Sequence, residues 1–239
     1  VVVQITKYPQ KGKKAEGKII EVLGNVNEAG VDMLSLIKEH KLPARFPEAV
    51  VEEAKRCGNR VDKKDMPNRV GLRDKIIFTI DGEDAKDLDD AVRVIKLENG
   101  NYELDVHIAD VSYYVRENSL LDQEALIRGT SIYMLGRVIP MLPRELSNGI
   151  CSLNAGEDRF TLSCSMEIDK KGKVISSEIY KGIIKVTERM SYTDVQKIID
   201  ASDEVTLKRY QPYIQEFKNM EELAIILKNR RIEEGYLNL

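Results

Sequence analysis

The stretch Ile76–Val94, IIFTIDGEDAKDLDDAVRV, decides how this 239-residue chain is read. Ile76, Ile77, Phe78 and Ile80 favour extended backbone, so they predict a buried strand with Asp81 at its end. Gly82 permits a turn, and Ala91-Val92-Arg93-Val94 resumes extended structure. Between the two strands, residues 81–90 hold six carboxylates against one cation, Lys86. Gathering such charges is costly unless a cation neutralises them, and a divalent metal is the natural counter-charge.

Ligand type narrows the metal. An all-carboxylate site suits Mg²⁺ or Mn²⁺, whereas zinc favours His or Cys, and this loop has neither. A calcium EF-hand needs acids at alternate positions, Gly at the sixth and Glu at the twelfth; starting at Asp81, Asp84 or Asp87 does not give that pattern. The competing reading is a solvated acidic loop, the usual fate of like-charge runs. The flanking apolar strands favour the metal, because they fix both ends of the loop and hold its acids near one another.

Outward from this loop, Ala91–Leu97 and Tyr102–Ile108 flank Glu98-Asn99-Gly100-Asn101, a hairpin signal. His107, inside the second of these strands, has no Cys or second His nearby and reads as a packed strand residue. Asp110 follows that strand and is a supporting candidate for the acid cluster. Ser119–Arg128 reads as a helix capped by Ser119 and ended by Arg128-Gly129, and Tyr133 lies in the strand-like run Ile132–Leu135. Arg159–Asp169 and Gly172–Thr187 form a second hairpin, with Leu162, Cys164 and Met166 expected to face inward. Tyr192–Asp200 and Glu204–Glu234 read as helices, the second interrupted early by Pro212.

On the N-terminal side, Val1–Tyr8 and Ala15–Leu23 read as two strands joined by the basic turn QKGKK. Val31–His40 and Pro47–Cys57 carry helical spacing, with His40 near a helix end as a cap or solvent-facing group. Arg56–Arg73 is polar and rich in both charges, as expected of an exposed linker.

Composition sets the outer limits. With 42% hydrophobic residues the chain can bury a core. Three cysteines, Cys57, Cys151 and Cys164, lack CxxC spacing and indicate neither a disulfide framework nor a zinc site, which fits a reducing, cytoplasmic setting. No apolar run nears 18 residues and no signal-peptide pattern opens the chain, so no membrane span is expected. Residues 1–80 carry 16 Lys+Arg against 11 Asp+Glu, while residues 81–239 carry 21 against 29. The first third is therefore the more suitable surface for phosphates.

Taken in order, TIDGEDAKDLDDA, HIADVSYYV (107–115), RGTSIY (128–133), VIPMLP (138–143) and LSNGICSLNAGEDR (146–159) resemble the ribonuclease II and ribonuclease R family, the RNB exoribonucleases, in detail closer to its ribonuclease R branch. The resemblance covers 1–239. It implies an α+β fold: a mixed or antiparallel β-sheet RNB-type catalytic domain with packed helices, preceded by the remnant of an OB-type β-barrel. The implied division is the last strands of a cold-shock OB domain over 1–25, a helical connector over 26–75 and the N-terminal part of the catalytic domain over 76–239. The implied activity is Mg²⁺-dependent, processive 3′→5′ hydrolysis of single-stranded and structured RNA to nucleoside 5′-monophosphates, by a monomer, with Mn²⁺ as a substitute metal.

The resemblance also implies residue roles. Asp81 and Asp90 would ligate the main metal, Asp87 would help bind it or orient the water, and Asp89, itself among the metal-site acids, would be the acid the chemistry can least spare. Tyr133 would pack against the 3′ nucleotides, although from the residues alone it reads as a core tyrosine. Lys7, Lys11, Lys13 and Lys14 would touch RNA backbone, with a solvated hairpin turn as the alternative. Three positions depart from the family pattern: Tyr113 for His, Leu88 for Phe and Ala155 for Pro. None removes a candidate metal ligand. The family's catalytic domain extends further than this chain, so the 239 residues alone are expected to be weak or inactive. Two other classes remain open, a non-catalytic RNA-binding scaffold and a Mg²⁺-dependent DNA exonuclease, the latter separated by 2′-hydroxyl recognition.

Overall fold

A computed structural model gives the fold, with residues 1–235 described. Residues 236–239, the end of the third expected segment, lie outside them. The chain opens with β1 (Val2–Lys7) and β2 (Glu16–Glu21), an antiparallel pair on its own, then α1 (Val31–Glu39) and α2 (Glu48–Arg56). A 3-10 turn over Lys63–Asn68 leads into β3 (Val70–Leu72), followed by β4 (Phe78–Asp81), β5 (Asp90–Lys96) and β6 (Tyr102–Ala109). Next come α3 (Val111–Tyr114), α4 (Leu120–Arg128), the small hairpin β7 (Ile132–Met134) and β8 (Arg137–Ile139), and a π-type turn over Glu145–Ile150. The long strands β9 (Asp158–Ile168) and β10 (Val174–Lys185) precede β11 (Glu188–Ser191), α5 (Tyr192–Ile199), α6 (Glu204–Arg209) and α7 (Ile214–Glu233).

Seven strands make one mixed sheet in the order β11-β4-β5-β6-β9-β10-β3. The centre is antiparallel, and both outer pairings, β11 with β4 and β3 with β10, are parallel. Asn99-Gly100 turns β5 into β6 with Gly100 at φ 81°, a left-handed conformation that glycine adopts freely. α7 lays Leu223 over Val94, Tyr102 and Ile168. Phe217, fully buried, meets Phe78 at 4.7 Å between ring centroids. Each such side chain contributes about 1.5–3 kcal/mol on leaving water. A larger core joins Val50 and Ala54 of α2 and Leu121 of α4 to Ala91, Ala109 and Ile183 of the sheet. Pro212 sits in a 3-10 turn between α6 and α7, where its missing N–H breaks the helical run.

Two expectations are corrected. Arg56–Arg73 is not an exposed linker: Val61 and Leu72 are buried, β3 is the seventh strand, and the Arg69 side chain is 4% exposed against Asp110 at 2.6 Å. Nor do Leu162, Cys164 and Met166 all point inward. Met166 packs beneath α7, but Leu162 is 51% exposed beside Ile108 at 47%, beyond the reach of that helix.

Candidate active site

The acid loop hangs between neighbouring strands whose ladder is limited to Phe78 opposite Val92, so the chain splays apart where the aspartates begin. Asp81 ends β4 and Asp90 starts β5, as the apolar runs on either side predict. Leu88 is the loop's apolar anchor at 1% exposure; its N–H donates to Ser152 Oγ at 3.1 Å and its carbonyl accepts from Leu153 N at 2.8 Å. Ser152 Oγ also donates to the Lys86 carbonyl at 3.0 Å. From β11, the Arg189 guanidinium donates to the carbonyls of Gly82, Glu83 and Ala85 at 3.3, 2.8 and 2.7 Å. One loop is thus clamped from two distant segments.

The clamp brings the charges within electrostatic reach of one another. The Asp81 carboxyl is pushed above its usual range by burial and then by Asp90, with Arg189 opposing, and one of its oxygens is buried without a partner. Asp89 is raised first by the protein packed around its carboxylate and then by Asp87, Asp90 and Asp81. Tyr133, 67% exposed on the β7–β8 hairpin, donates its hydroxyl to Asp87 Oδ2 at 2.6 Å, and this contact pushes its phenol up to about 12. It is therefore a rim residue, not the core tyrosine its isolated sequence suggests. Oxygen donors and the unpartnered Asp81 oxygen fit a hard divalent cation. Among the described residues no three carboxylate, His or Cys groups close to ligating distance. Asp87 and Tyr133 border a cavity of about 640 Å³, whose rim also carries Lys86, Arg137, Arg144 and Asn148.

Other candidates fall elsewhere. Asp110 turns away from the cluster to pair with Arg69, and it caps α3 by accepting from Tyr113 N at 3.2 Å. His107 is fully buried, with Nδ1 2.8 Å from Ser163 Oγ, the packed strand residue its context predicts. Tyr113 donates to Asp65 and stacks edge-on against Phe160. Lys7 pairs with Glu16 at 2.7 Å, while Lys11, Lys13 and Lys14 lie exposed on or beside the β1–β2 turn. Arg189 and Ser152 were missed as site residues. Ser152 stands within the motif LSNGICSLNAGEDR, but nothing local to Arg189 marks it.

Residues 69–239 match the RNB domain family and residues 1–47 the cold shock domain family. The chain is 51% identical to ribonuclease R of Thermotoga maritima over 98% of its own length and 33% of that protein. It is 40% identical to ribonuclease R of Escherichia coli, over 98% of its length and 29% of that protein. It thus spans about a third of the curated relatives it matches. Mycoplasma genitalium RNase R in complex with double-stranded RNA superposes with a TM-score of 0.89 at 28% identity, over 99% of this chain and 41% of that one. Yeast Ssd1, a pseudonuclease, shares the fold with a TM-score of 0.72 at 18% identity, over 97% of this chain and 28% of that one. With the RNB match running from β3 past the acid loop to the end of the sequence, the chain belongs to the RNB family.

Proposed function

We propose that this chain is part of a metal-dependent 3′→5′ hydrolytic exoribonuclease that degrades single-stranded and structured RNA processively to nucleoside 5′-monophosphates. The observation that carries the reading is the acid loop itself: four aspartates clamped by Arg189 and Ser152, with the Tyr133 hydroxyl on Asp87. Similarity to ribonuclease R supports it. In this reading residues 1–25 end a cold-shock domain, 26–75 connect, and 76–239 begin the catalytic domain of a monomeric, cytoplasmic enzyme. No helix among the described residues is long and apolar enough to cross a membrane.

Asp81 and Asp90 would hold Mg²⁺ or Mn²⁺, with Asp87 and Asp89 completing the acid set. A metal held there would supply charge neutralisation at phosphorus and an activated water. Asp89 is the carboxylate the chemistry can least spare, and Asp87 would help bind the metal or orient its water while keeping the Tyr133 ring at the rim. That ring packs on the 3′-terminal base, and Lys7, Lys11, Lys13 and Lys14 attract the RNA backbone. A second reading, an RNA-binding scaffold without hydrolysis, draws on the open spacing of the carboxylates.

Calorimetric titration of Mg²⁺ into the wild-type chain and Asp89→Asn, with decay of labelled RNA followed in Thermotoga ribonuclease R carrying this chain in place of its matching segment, separates the two. Expected are metal binding and release of 5′-monophosphates, reduced roughly 100-fold or more by Asp89→Asn. RNA binding without metal-dependent release in the wild-type chimera would leave the scaffold reading.

A further inference from the structure

Side chains along β4 and the residue before it alternate between two cores. Ile77 packs with Leu88, Ala91 and Ala109, while Phe78 joins Met190, Ile198 and Phe217 on the opposite face. Thr79 and Asp81 therefore point the way Ile77 does, into the core that also takes Ala85 and Leu88 of the acid loop. Thr79 is fully buried there, yet its hydroxyl has no hydrogen-bond partner among the described residues. Asp81 Oδ2, two residues on along the same face, is buried without a partner as well. An unbonded buried hydroxyl is costly, and a valine would fill the same space without it. Strand β11 adds a third polar group: its parallel pairing with β4 sets Arg189 beside Thr79 and Ser191 beside Asp81. Arg189 commits Nη2 to the loop carbonyls, and its Nε and Nη1 make no hydrogen bond among the described residues. Its charge is felt at Asp81, where it opposes the rise caused by burial.

We propose that Thr79 is a positioning residue for the acid site, its hydroxyl holding the Asp81 carboxylate in place through one buried water shared with Arg189. Side chains two residues apart on a strand stand about 6.6 Å from one another. That is too far for a direct bond and close to the roughly 5.5 Å that one water spans with two hydrogen bonds. A buried water makes about three hydrogen bonds, which the hydroxyl, the carboxylate and an Arg189 N–H can supply. The water fixes the rotation of the carboxylate and leaves its remaining lone pairs to a divalent cation. The consequence for metal rests on the acid-site reading given above, but the water and the carboxylate's orientation can be observed without metal.

The test compares the wild-type 239-residue chain with Thr79→Val, which keeps the shape and loses the hydroxyl, and Thr79→Ser, which keeps the hydroxyl and loses a methyl. In crystals grown in EDTA, wild type and Thr79→Ser are expected to hold an ordered water within about 3.2 Å of both the hydroxyl at position 79 and Asp81 Oδ2. Thr79→Val is expected to lack it, with the Asp81 carboxylate turned. In Mg²⁺ calorimetry Thr79→Val is expected to bind roughly 10- to 100-fold more weakly, and Thr79→Ser like wild type. Equal Mg²⁺ affinity in wild type and Thr79→Val, equal weakening in both variants, or no bridging water in the wild type overturns the role. Absence of Mg²⁺ binding by the wild type would sink the metal-site reading instead. The crystals then decide the role of Thr79 by themselves, for it if Thr79→Val alone turns the carboxylate and against it otherwise.

Discussion

Asp89, in the loop before β5, and His107, within β6, are both shifted by burial, and the two shifts act in opposite directions on stability as pH changes. Burial and three neighbouring aspartates raise Asp89, so as pH climbs from the ordinary carboxylate value the unfolded chain ionises first and stability falls until the folded group ionises too. Asp89→Asn removes that penalty, and at pH 7 without divalent cation it is expected to melt higher than wild type. Near pH 2.5, with both states protonated, the difference should vanish. Burial instead lowers His107 to about 4 from 6.5. Its neutral form is compatible with folding above pH 6.5, and stability is lost as pH falls from there towards 4, by roughly 2 kcal/mol at pH 5. His107→Gln is expected to flatten that limb. Urea unfolding of wild type and both variants between pH 2.5 and 7 checks both signs, and parallel profiles would contradict the burial argument.

At the scale of elements, the acid loop depends on a side chain more than a hundred residues away. Arg189 reaches it because β11 runs parallel to β4, setting Arg189 opposite Thr79 and Ser191 opposite Asp81. Arg189→Met removes the one nitrogen, Nη2, that contacts three loop carbonyls; since the side chain is exposed, the stability cost is expected near 1 kcal/mol. The larger effect falls on the loop, with faster amide exchange at 82–87 and weaker Mg²⁺ binding by calorimetry. Unchanged exchange would mean that Leu88 and Ser152 suffice. The same geometry explains what could be read in advance. The two strands around the acids, the Asn99-Gly100 hairpin and the Ser119-capped helix each have their causes within a few residues, in alternation, turn chemistry or a capping oxygen. The two parallel outer strands do not. β3 is three residues long and follows a polar stretch, and its place beside β10 is set by contacts far away in sequence. Leu162 misleads for the same reason: alternation gives its face but not how far α7 extends over it.

Over the whole molecule, the segment that the sequence presents as a linker is fastened to the sheet by charge. The Arg69 guanidinium stacks 3.9 Å from the Phe160 ring centroid, donates to Asp110 at 2.6 Å and reaches the Thr161 and Gly182 carbonyls at 3.3 Å. Both partners are almost fully buried, so neither charge has water to fall back on. Asp110 in turn follows β6, whose last residue, Ala109, donates its N–H to the Asp89 carbonyl at 2.9 Å. The connector is therefore joined to the acid loop through two short steps. Arg69→Met leaves Asp110 buried and unpaired and is expected to cost about 3–5 kcal/mol. The double variant Arg69→Met, Asp110→Asn removes the stranded charge while keeping an oxygen to cap α3, and it should recover a large part of that loss. Urea unfolding of wild type, both single variants and the double closes the cycle. Additive single costs would show that β3 docks through Val61 and Leu72 alone. A coupling of several kcal/mol would instead make the ion pair the fastening between connector and catalytic sheet.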